Sequence, residues 1–560
     1  MSPNTEIIVT LLGGLAVFIF GMNLMSDGLQ KVAGTKMKSV LEFLTKNPIM
    51  GVLAGAVTTA VLQSSSATTV MVIGFVSAGL MGLKQAISVI MGANIGTTIT
   101  AQLIAFKIGS YAWVFVIIGF IMFFFIKKNE KISQLGQTIF GFGMLFIGIN
   151  TMGDTMKPLA ASQVFADLML SVQDMPILGV ALGTIMTVVV QSSSATIAVL
   201  QNLASQAGPD GITSIIGLEG AIPILFGDNI GTTITALLAS IGASVNAKRT
   251  ALAHTVFNLF GSIIFLFFVP QFAMFVSFIS PKGAEIDIIA RQIANAHITF
   301  NLLNTLIWLP FIFVLVKIVT KLVPGSDVER LPSQPLYLDY KLIEQPLFAI
   351  HLSRKELGRQ IEFAKEMIEA ARLSFIENST EQVKKVFDLE EIVNALEEEI
   401  SKYLSTIFTN DSLSEVQGNE ISGLIHISSD IEHIGDYCVN IAEFSLLKIN
   451  NGYSFSDDAL LEIEESFAQI NTMLNDTIDT LGNESEASAL RVLEQENLVN
   501  ENEKTLRARH MERISQKLCS PEFTVTFTDI IHNIEKVGDC CKNIAEAVIE
   551  NNHMKKKMQS

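Results

Sequence analysis

The sequence predicts an all-α protein in two parts: a polytopic membrane domain of two inverted repeats with re-entrant or broken helices, then a soluble helical-bundle domain. Three observations carry this. Residues 1–335 hold 17 Lys and Arg against 14 Asp and Glu, and the remainder holds 21 against 41, so the formal net charge of −17 belongs to the C-terminal side. Apolar runs long enough to cross hydrocarbon, which takes about 20 residues each, recur only in the first part. Both parts are internally duplicated. The boundaries read as 1–323 for the membrane domain (repeat one about 5–130, repeat two about 132–320), 324–346 for a linker with Pro324, Pro332, Pro335 and Pro346, and 347–560 for the helical domain.

The first apolar run, Ile7 to Met25, follows Glu6 and is not followed by a small-residue cleavage site, so it reads as a retained span. Pro48–Thr68 (PIMGVLAGAVTTAVLQSSSAT) then matches Pro176–Thr196 (PILGVALGTIMTVVVQSSSAT) without a gap. Gly82–Ile95 resembles Gly217–Ile230, and both continue as GTTITA; Gly21–Asn23 corresponds to Gly148–Asn150, and Asp27 to Asp154. Lysines orient the copies, because short basic loops stay cytoplasmic. Lys31, Lys36, Lys38 and Lys46 follow the first span, whereas Lys127, Lys128 and Lys131 precede its counterpart and leave Lys157 on the far side. The copies therefore run in opposite directions. Lys317 and Lys321 close the last span on the cytoplasmic side, which places the acidic domain in the cytoplasm and the whole chain, multi-pass, in the plasma membrane. Inverted repeats with polar interruptions in matching places point to a secondary transporter with a midplane site.

Gln63, Ser64, Ser65 and Ser66, and again Gln191, Ser192, Ser193 and Ser194, put four consecutive polar side chains at the end of an apolar half-helix. Lipid would leave them unsatisfied, a cost that a cavity or an ion removes. A helix break there frees carbonyls for a hard cation and, at the start of the next half-helix, N–H groups for an anion. Asn94, Thr97 and Thr98, and Asn229, Thr232 and Thr233, add amide and hydroxyl oxygens around Gly96 and Gly231, glycines suited to unwinding or to close backbone approach. These motifs hold no cationic side chain. Interhelical hydrogen bonding is the competing reading of such residues, but two copies in matching repeats favour a binding site. Gly51, Gly55 and Thr59, matched by Gly179, Gly183 and Thr187, form a small-residue face that helix packing explains, and no chemistry is assigned to them.

Paired QSSS motifs, each followed by G-x-N-I-G-T-T, resemble the type II sodium/phosphate cotransporter family over about residues 5–320. The resemblance implies symport of inorganic phosphate by alternating access, with Na+ as the coupling ion, the lipid bilayer as surroundings, and the QSSS and NIGTT residues as the phosphate and sodium positions. It does not imply an enzyme. Asp228 departs from the repeat, standing where the first copy has Ala93. An intramembrane carboxylate is costly and usually functional, so Asp228 is a candidate cation or proton site. Arg249–Asn258 (RTALAHTVFN) resembles the family's next helix, and its Ala253-His254-x-x-Phe257-Asn258 recurs as Ala296-His297-x-x-Phe300-Asn301. Interhelical bonding and direct ligation are both open for these residues.

Between Pro346 and Pro521 there is no proline, and the spacing is helical throughout. Asp430–Glu443 repeats as Asn533–Glu546, and Glu390, Asn394 and Glu397 as Glu496, Asn500 and Glu503. Glu432 with Asp436, and Glu535 with Asp539, point the same way from their helices, which suits a shared metal or simply a solvated face. This duplication resembles the PhoU family of phosphate-signalling proteins, two three-helix bundles. The likeness implies a regulatory role, phosphate-signalling partners, and Fe or Zn at those carboxylates, from which Asn394 and Asn500 depart. All four cysteines lie in this half, Cys438, Cys519, Cys540 and Cys541, and in a cytosolic domain they should be free thiols. The competing function is a membrane-anchored phosphate sensor without net transport. Nucleic acid is not expected as a partner, a homodimer is left open, and an enzyme is disfavoured by the absence of a G-x-x-x-x-G-K loop and of an intramembrane cysteine.

Overall fold

A computed structural model of the chain describes residues 3–33, 47–106, 108–126, 129–160, 163–208, 210–326, 331–409, 413–452, 454–517 and 524–559. Lys36, Lys38, Lys46, Lys127, Lys128 and Cys519, used in the reading above, lie outside the described residues. The chain forms two compact units, residues 1–327 and 328–560. Apart from one isolated bridge between Ala207 and Ser214, the described residues form helices and their connections.

Among the described residues, the first unit has six helical stretches long and apolar enough to cross a membrane: Thr5–Val32, Leu83–Ile104, Lys131–Lys157, Gly217–Ala239, Val245–Leu266 and Glu285–Leu322. Alongside buried apolar clusters around Phe18, Phe226 and Phe257, many of its large apolar side chains, among them Trp113, Phe125, Phe267 and Phe278, are exposed. Exposed apolar side chains on helices of this length suit a lipid surround, so the protein is a multi-pass membrane protein. Helix α1 (Pro3–Ala33) packs along α6 (Glu130–Ala160). Between them run α2 (Pro48–Leu62), α3 (Ser65–Ser77), α4 (Leu83–Ile104) and α5 (Ala112–Phe125). After α6 come α7 (Gln163–Asp174), α8 (Pro176–Val190), α9 (Ser193–Ala204), α10 (Gly217–Gly231) and α11 (Thr233–Ala239). The unit closes with α12 (Val245–Leu266), α13 (Val269–Ile279), α14 (Glu285–Trp308) and α15 (Ile312–Leu322).

At 15 residues, α2 and α8 are each about 22 Å long, short of the roughly 30 Å hydrocarbon core. Each begins at a proline, Pro48 or Pro176, and stops at a glutamine in the left-handed region, Gln63 (φ 51°) or Gln191 (φ 56°). Each packs tightly on the following long helix. A Cβ on Gly55 would run into the Val89 carbonyl of α4, and one on Gly183 into the Ile224 carbonyl of α10. The small-residue faces are thus the packing surfaces expected of them.

The second unit consists of α16 (Pro346–Ile376), α17 (Thr380–Phe408), α18 (Glu415–Asn451), α19 (Asp457–Asn483), α20 (Glu486–Ser515) and α21 (Thr524–Gln559). Serines cap four of these starts: Ser379, Ser414 (with Gln417 completing a capping box), Ser456 and Ser485. One continuous apolar core joins the six helices. The halves α16–α18 and α19–α21 meet where α18 packs on α21 and α16 on α19. Equivalent bonds cross the first contact in both directions: Asn440 Nδ2 donates to Asn533 Oδ1 and Asn543 Nδ2 to Asp430 Oδ1, each at 3.0 Å. Much of the segment read as a linker is fastened to this unit. The buried Glu356 carboxylate accepts from Leu336 N (2.8 Å) and Tyr337 N (2.6 Å), and Arg359 donates to the Pro332 and Gln334 carbonyls at 2.8 and 2.7 Å.

Candidate functional site

The two QSSS segments fold alike. After the left-handed glutamine, Ser64 and Ser192 cap α3 and α9, their hydroxyls accepting from Ala67 N (3.1 Å) and Ala195 N (3.2 Å). Ser65, Ser66, Ser193 and Ser194 form the first turns, where backbone N–H groups lack helical partners and the dipole favours an anion. Across each break a threonine pair closes the hairpin: Thr59 Oγ1 donates to Thr68 Oγ1 at 2.9 Å, and Thr187 Oγ1 is 3.1 Å from Thr196 Oγ1. The small-residue spacing alone assigns Thr59 and Thr187 to helix packing. Their signal was present, since both recur in register with the serines.

The long helices α4 and α10 bring the second motif to the first. Thr97 Oγ1 donates to Ser65 Oγ at 3.3 Å. Thr100 and Thr235, the last threonines of each GTTIT, reach the Gln63 and Gln191 side-chain carbonyls at 2.8 and 3.3 Å. The reading overlooked them because it stopped at NIGTT. Thr98 donates to Ile95 O of its own helix, Thr233 reaches back to Ile230 O at the end of α10, and Thr232 donates to Asp228 O. The Asn94 and Asn229 side-chain amides likewise donate to Ile90 O and Leu225 O. Gly96 lies within the continuous α4 beneath the Ala56 carbonyl, so in the first copy the glycine serves close approach, not unwinding. In the second copy α10 ends at Gly231 and α11 restarts at Thr233.

Asp228 lies in the last turn of α10, fully buried, just before the break at Gly231. Its Oδ1 accepts from Thr187 Oγ1 at 2.6 Å, while Oδ2 has no hydrogen-bond partner among the described residues. The copies also differ in access, for Gln63 is 6 % exposed whereas Gln191 is an exposed residue. His254 Nε2 meets Asn94 Oδ1 at 3.4 Å, an interhelical contact. By contrast, the Asn258 and Asn301 amides donate back to His254 O and His297 O. Buried oxygens left without a partner among the described residues include Thr58 and Thr69 Oγ1, Gln201 Oε1, and Asn258, Asn301 and Asn304 Oδ1. Such acceptors in an apolar interior suit a hard cation or water.

In the helical unit the expected carboxylate pairs are arranged differently. Lys536 Nζ lies 2.6 Å from Asp539 Oδ2 and 3.3 Å from Glu535 Oε2, and Lys542 Nζ lies 3.0 Å from Glu496 Oε1. An ammonium thus stands where a metal would, and Glu535 with Asp539 does not fit iron or zinc. Asn394 and Asn500 cap Glu390 and Glu496 by 2.8 Å bonds. Burial, then repulsion from Asp436, raises the Glu432 carboxyl above its usual range, and burial, then Asp539, does the same to Glu535. The groupings with ligand atoms close together are instead Glu503, His532 and Glu535, and Asp430, His433 and Cys540. Cys438, Cys540 and Cys541 are free and buried.

The Na+/Pi-cotransporter family profile matches residues 17–154 and again 148–278, and the PhoU domain profile matches 357–445 and 463–548. "Uncharacterized protein YqeW" of Bacillus subtilis (strain 168) is 35% identical over 279 residues, 50% of this chain and 88% of that protein. "Putative inorganic phosphate export protein YjbB" of Escherichia coli (strain K12) is 23% identical over 542 residues, 96% of this chain and 97% of that one. "Sodium-dependent phosphate transport protein 2B" of Homo sapiens is 36% identical over 100 residues, 18% of this chain and 14% of that one. The chain therefore belongs to the Na+/Pi-cotransporter family, in the form that carries a C-terminal PhoU domain.

Proposed function

We propose that the chain carries inorganic phosphate across the plasma membrane together with sodium, by alternating access of two inverted repeats over residues 1–323. The observation that carries this reading is the pair of matching helix breaks at Gln63 and Gln191, each followed by a serine-capped half-helix and each braced by a threonine pair. Phosphate would sit against the N-termini of α3 and α9, among Ser65, Ser66, Ser193 and Ser194. Sodium would take hydroxyl and amide oxygens of the QSSS and NIGTT residues. With no cationic side chain in these motifs, bound sodium supplies the charge that holds the anion, which couples the two. The unequal exposure of Gln63 and Gln191 suits a cycle in which the copies take turns facing water. The names of the human and Escherichia coli relatives support sodium and phosphate respectively. Net direction follows from the two gradients, since a symporter is reversible.

The PhoU domain, read as cytoplasmic from Lys317 and Lys321, would regulate transport or signal phosphate status to a partner. Radiolabelled phosphate uptake into proteoliposomes, with and without an inward sodium gradient, tests the reading in wild type, Ser65→Ala and Ser193→Ala. Sodium-driven accumulation lost in both variants is the expected result. Phosphate binding without accumulation would replace transport by sensing.

A further inference from the structure

We propose that Asp430, His433 and Cys540 form a divalent-metal site, zinc by its ligand chemistry, that ties together the two three-helix halves of the PhoU domain. One ligand atom from each residue lies within 4.8 Å of the other two. A tetrahedral zinc site with Zn–S near 2.3 Å and Zn–N near 2.0 Å sets its ligand atoms about 3.5 Å apart, so small side-chain rotations close the set. Asp430 and His433 are three residues apart on α18, one turn along the same face, and Cys540 comes from α21. The site therefore spans the contact between the halves.

The donor chemistry selects the ion. Thiolate, imidazole and carboxylate together suit a borderline-soft divalent metal, whereas calcium and magnesium take oxygen alone. Cys540 is 5 % exposed, Asp430 is half-buried and His433 is open to solvent, which gives the ion a path in and leaves the fourth position for water. Asn543 Nδ2, 3.0 Å from Asp430 Oδ1, orients that carboxylate.

The duplication argues that the cluster is not a by-product of packing. Asn440 to Asn533 and Asn543 to Asp430 are equivalent bonds, so the two sides of this contact are built alike. The positions equivalent to Asp430, His433 and Cys540 are Asn533, Lys536 and Tyr437, a set with an amide, an ammonium and a phenol. Only one side has acquired three ligands.

The test is titration of the full-length protein in detergent with cobalt(II), followed by displacement with zinc, in wild type, Cys540→Ser, His433→Ala and Glu503→Gln. We expect one cobalt per chain with a thiolate-to-cobalt charge-transfer absorption, abolished in Cys540→Ser. His433→Ala, at an exposed position that should leave folding intact, weakens zinc binding by at least about 10-fold. Glu503→Gln leaves the absorption unchanged. Cobalt bound without that absorption would assign the metal to the acidic faces and overturn the proposal. So would an absorption that survives Cys540→Ser, or no binding at all.

Discussion

Thr187 donates to Asp228 at 2.6 Å in the second repeat, whereas its counterpart Thr59 donates to Thr68 and the position equivalent to Asp228 is Ala93. Two copies of one backbone design thus differ in a buried carboxylate, one of whose oxygens has no hydrogen-bond partner among the described residues. The copies are alike in backbone and differ in an ionisable group.

Asp228→Asn keeps the shape and removes the ionisable group. Hydrogen bonds to charged groups contribute about 1.5–3 kcal/mol, so the apparent sodium affinity for phosphate uptake should fall roughly ten- to hundredfold. The sodium Hill slope or the pH profile of uptake should change with it. Identical sodium dependence and pH profile in mutant and wild-type proteoliposomes would remove Asp228 from the coupling machinery.

Gln63 combines a left-handed backbone with a side chain that accepts from Thr100. Glycine tolerates that backbone without strain. Gln63→Gly should therefore keep the melting temperature in detergent near wild type while lowering phosphate uptake by more than about tenfold, the equivalent of 1.4 kcal/mol. Valine at 63 should fail to fold, because a β-branched residue is a conformational outlier there. A fully active glycine variant would confine the role of Gln63 to the backbone.

Gly55 and Gly13 make a matched pair for packing. A Cβ at 55 collides with the Val89 carbonyl, and a Cβ at 13 meets nothing within 4 Å. Thermal unfolding in detergent should show Gly55→Ala destabilised by about 1–3 kcal/mol. Gly13→Ala should lie within about 0.5 kcal/mol of wild type. Equal effects at both positions would mean that α2 and α4 do not approach as closely as described.

His510 in the PhoU domain is buried against Phe527, stacked at 4.3 Å, with neither ring nitrogen hydrogen-bonded among the described residues. Burial, then the nearby Arg513 charge, holds its pKa below the ordinary 6.5, with Glu462 opposing. The unfolded chain consequently binds a proton that the folded domain refuses. The His510 contribution to stability is intact above the ordinary value and is lost as pH falls below it toward the depressed folded value. Denaturant unfolding of wild type and His510→Phe across that range should show the variant less sensitive to acid. Parallel pH profiles would exclude His510 as a source of acid lability.

Apolar length, proline placement and the repeated QSSS and GTTIT strings are local properties, and from them the sequence by itself determined the all-α class, the broken half-helices, both duplications and the family. Pro48, Gln63 and Ser64 begin, end and restart helices through their own backbones and neighbours, so their meaning is readable in order along the chain. The tertiary structure alone decided which oxygen meets which. Thr97 reaches Ser65 across 32 residues, Thr187 reaches Asp228 across 41, and Asn440 reaches Asn533 across 93. It also turned Lys536 onto Asp539, removing a metal pair that spacing had suggested, and fastened Leu336 and Tyr337 to Glu356 within a segment that proline content marked as linker. The physical reason is that helical periodicity fixes the face on which a side chain stands, whereas its partner depends on how helices distant in sequence pack. Here close approach at Gly55 and Gly183 sets that packing.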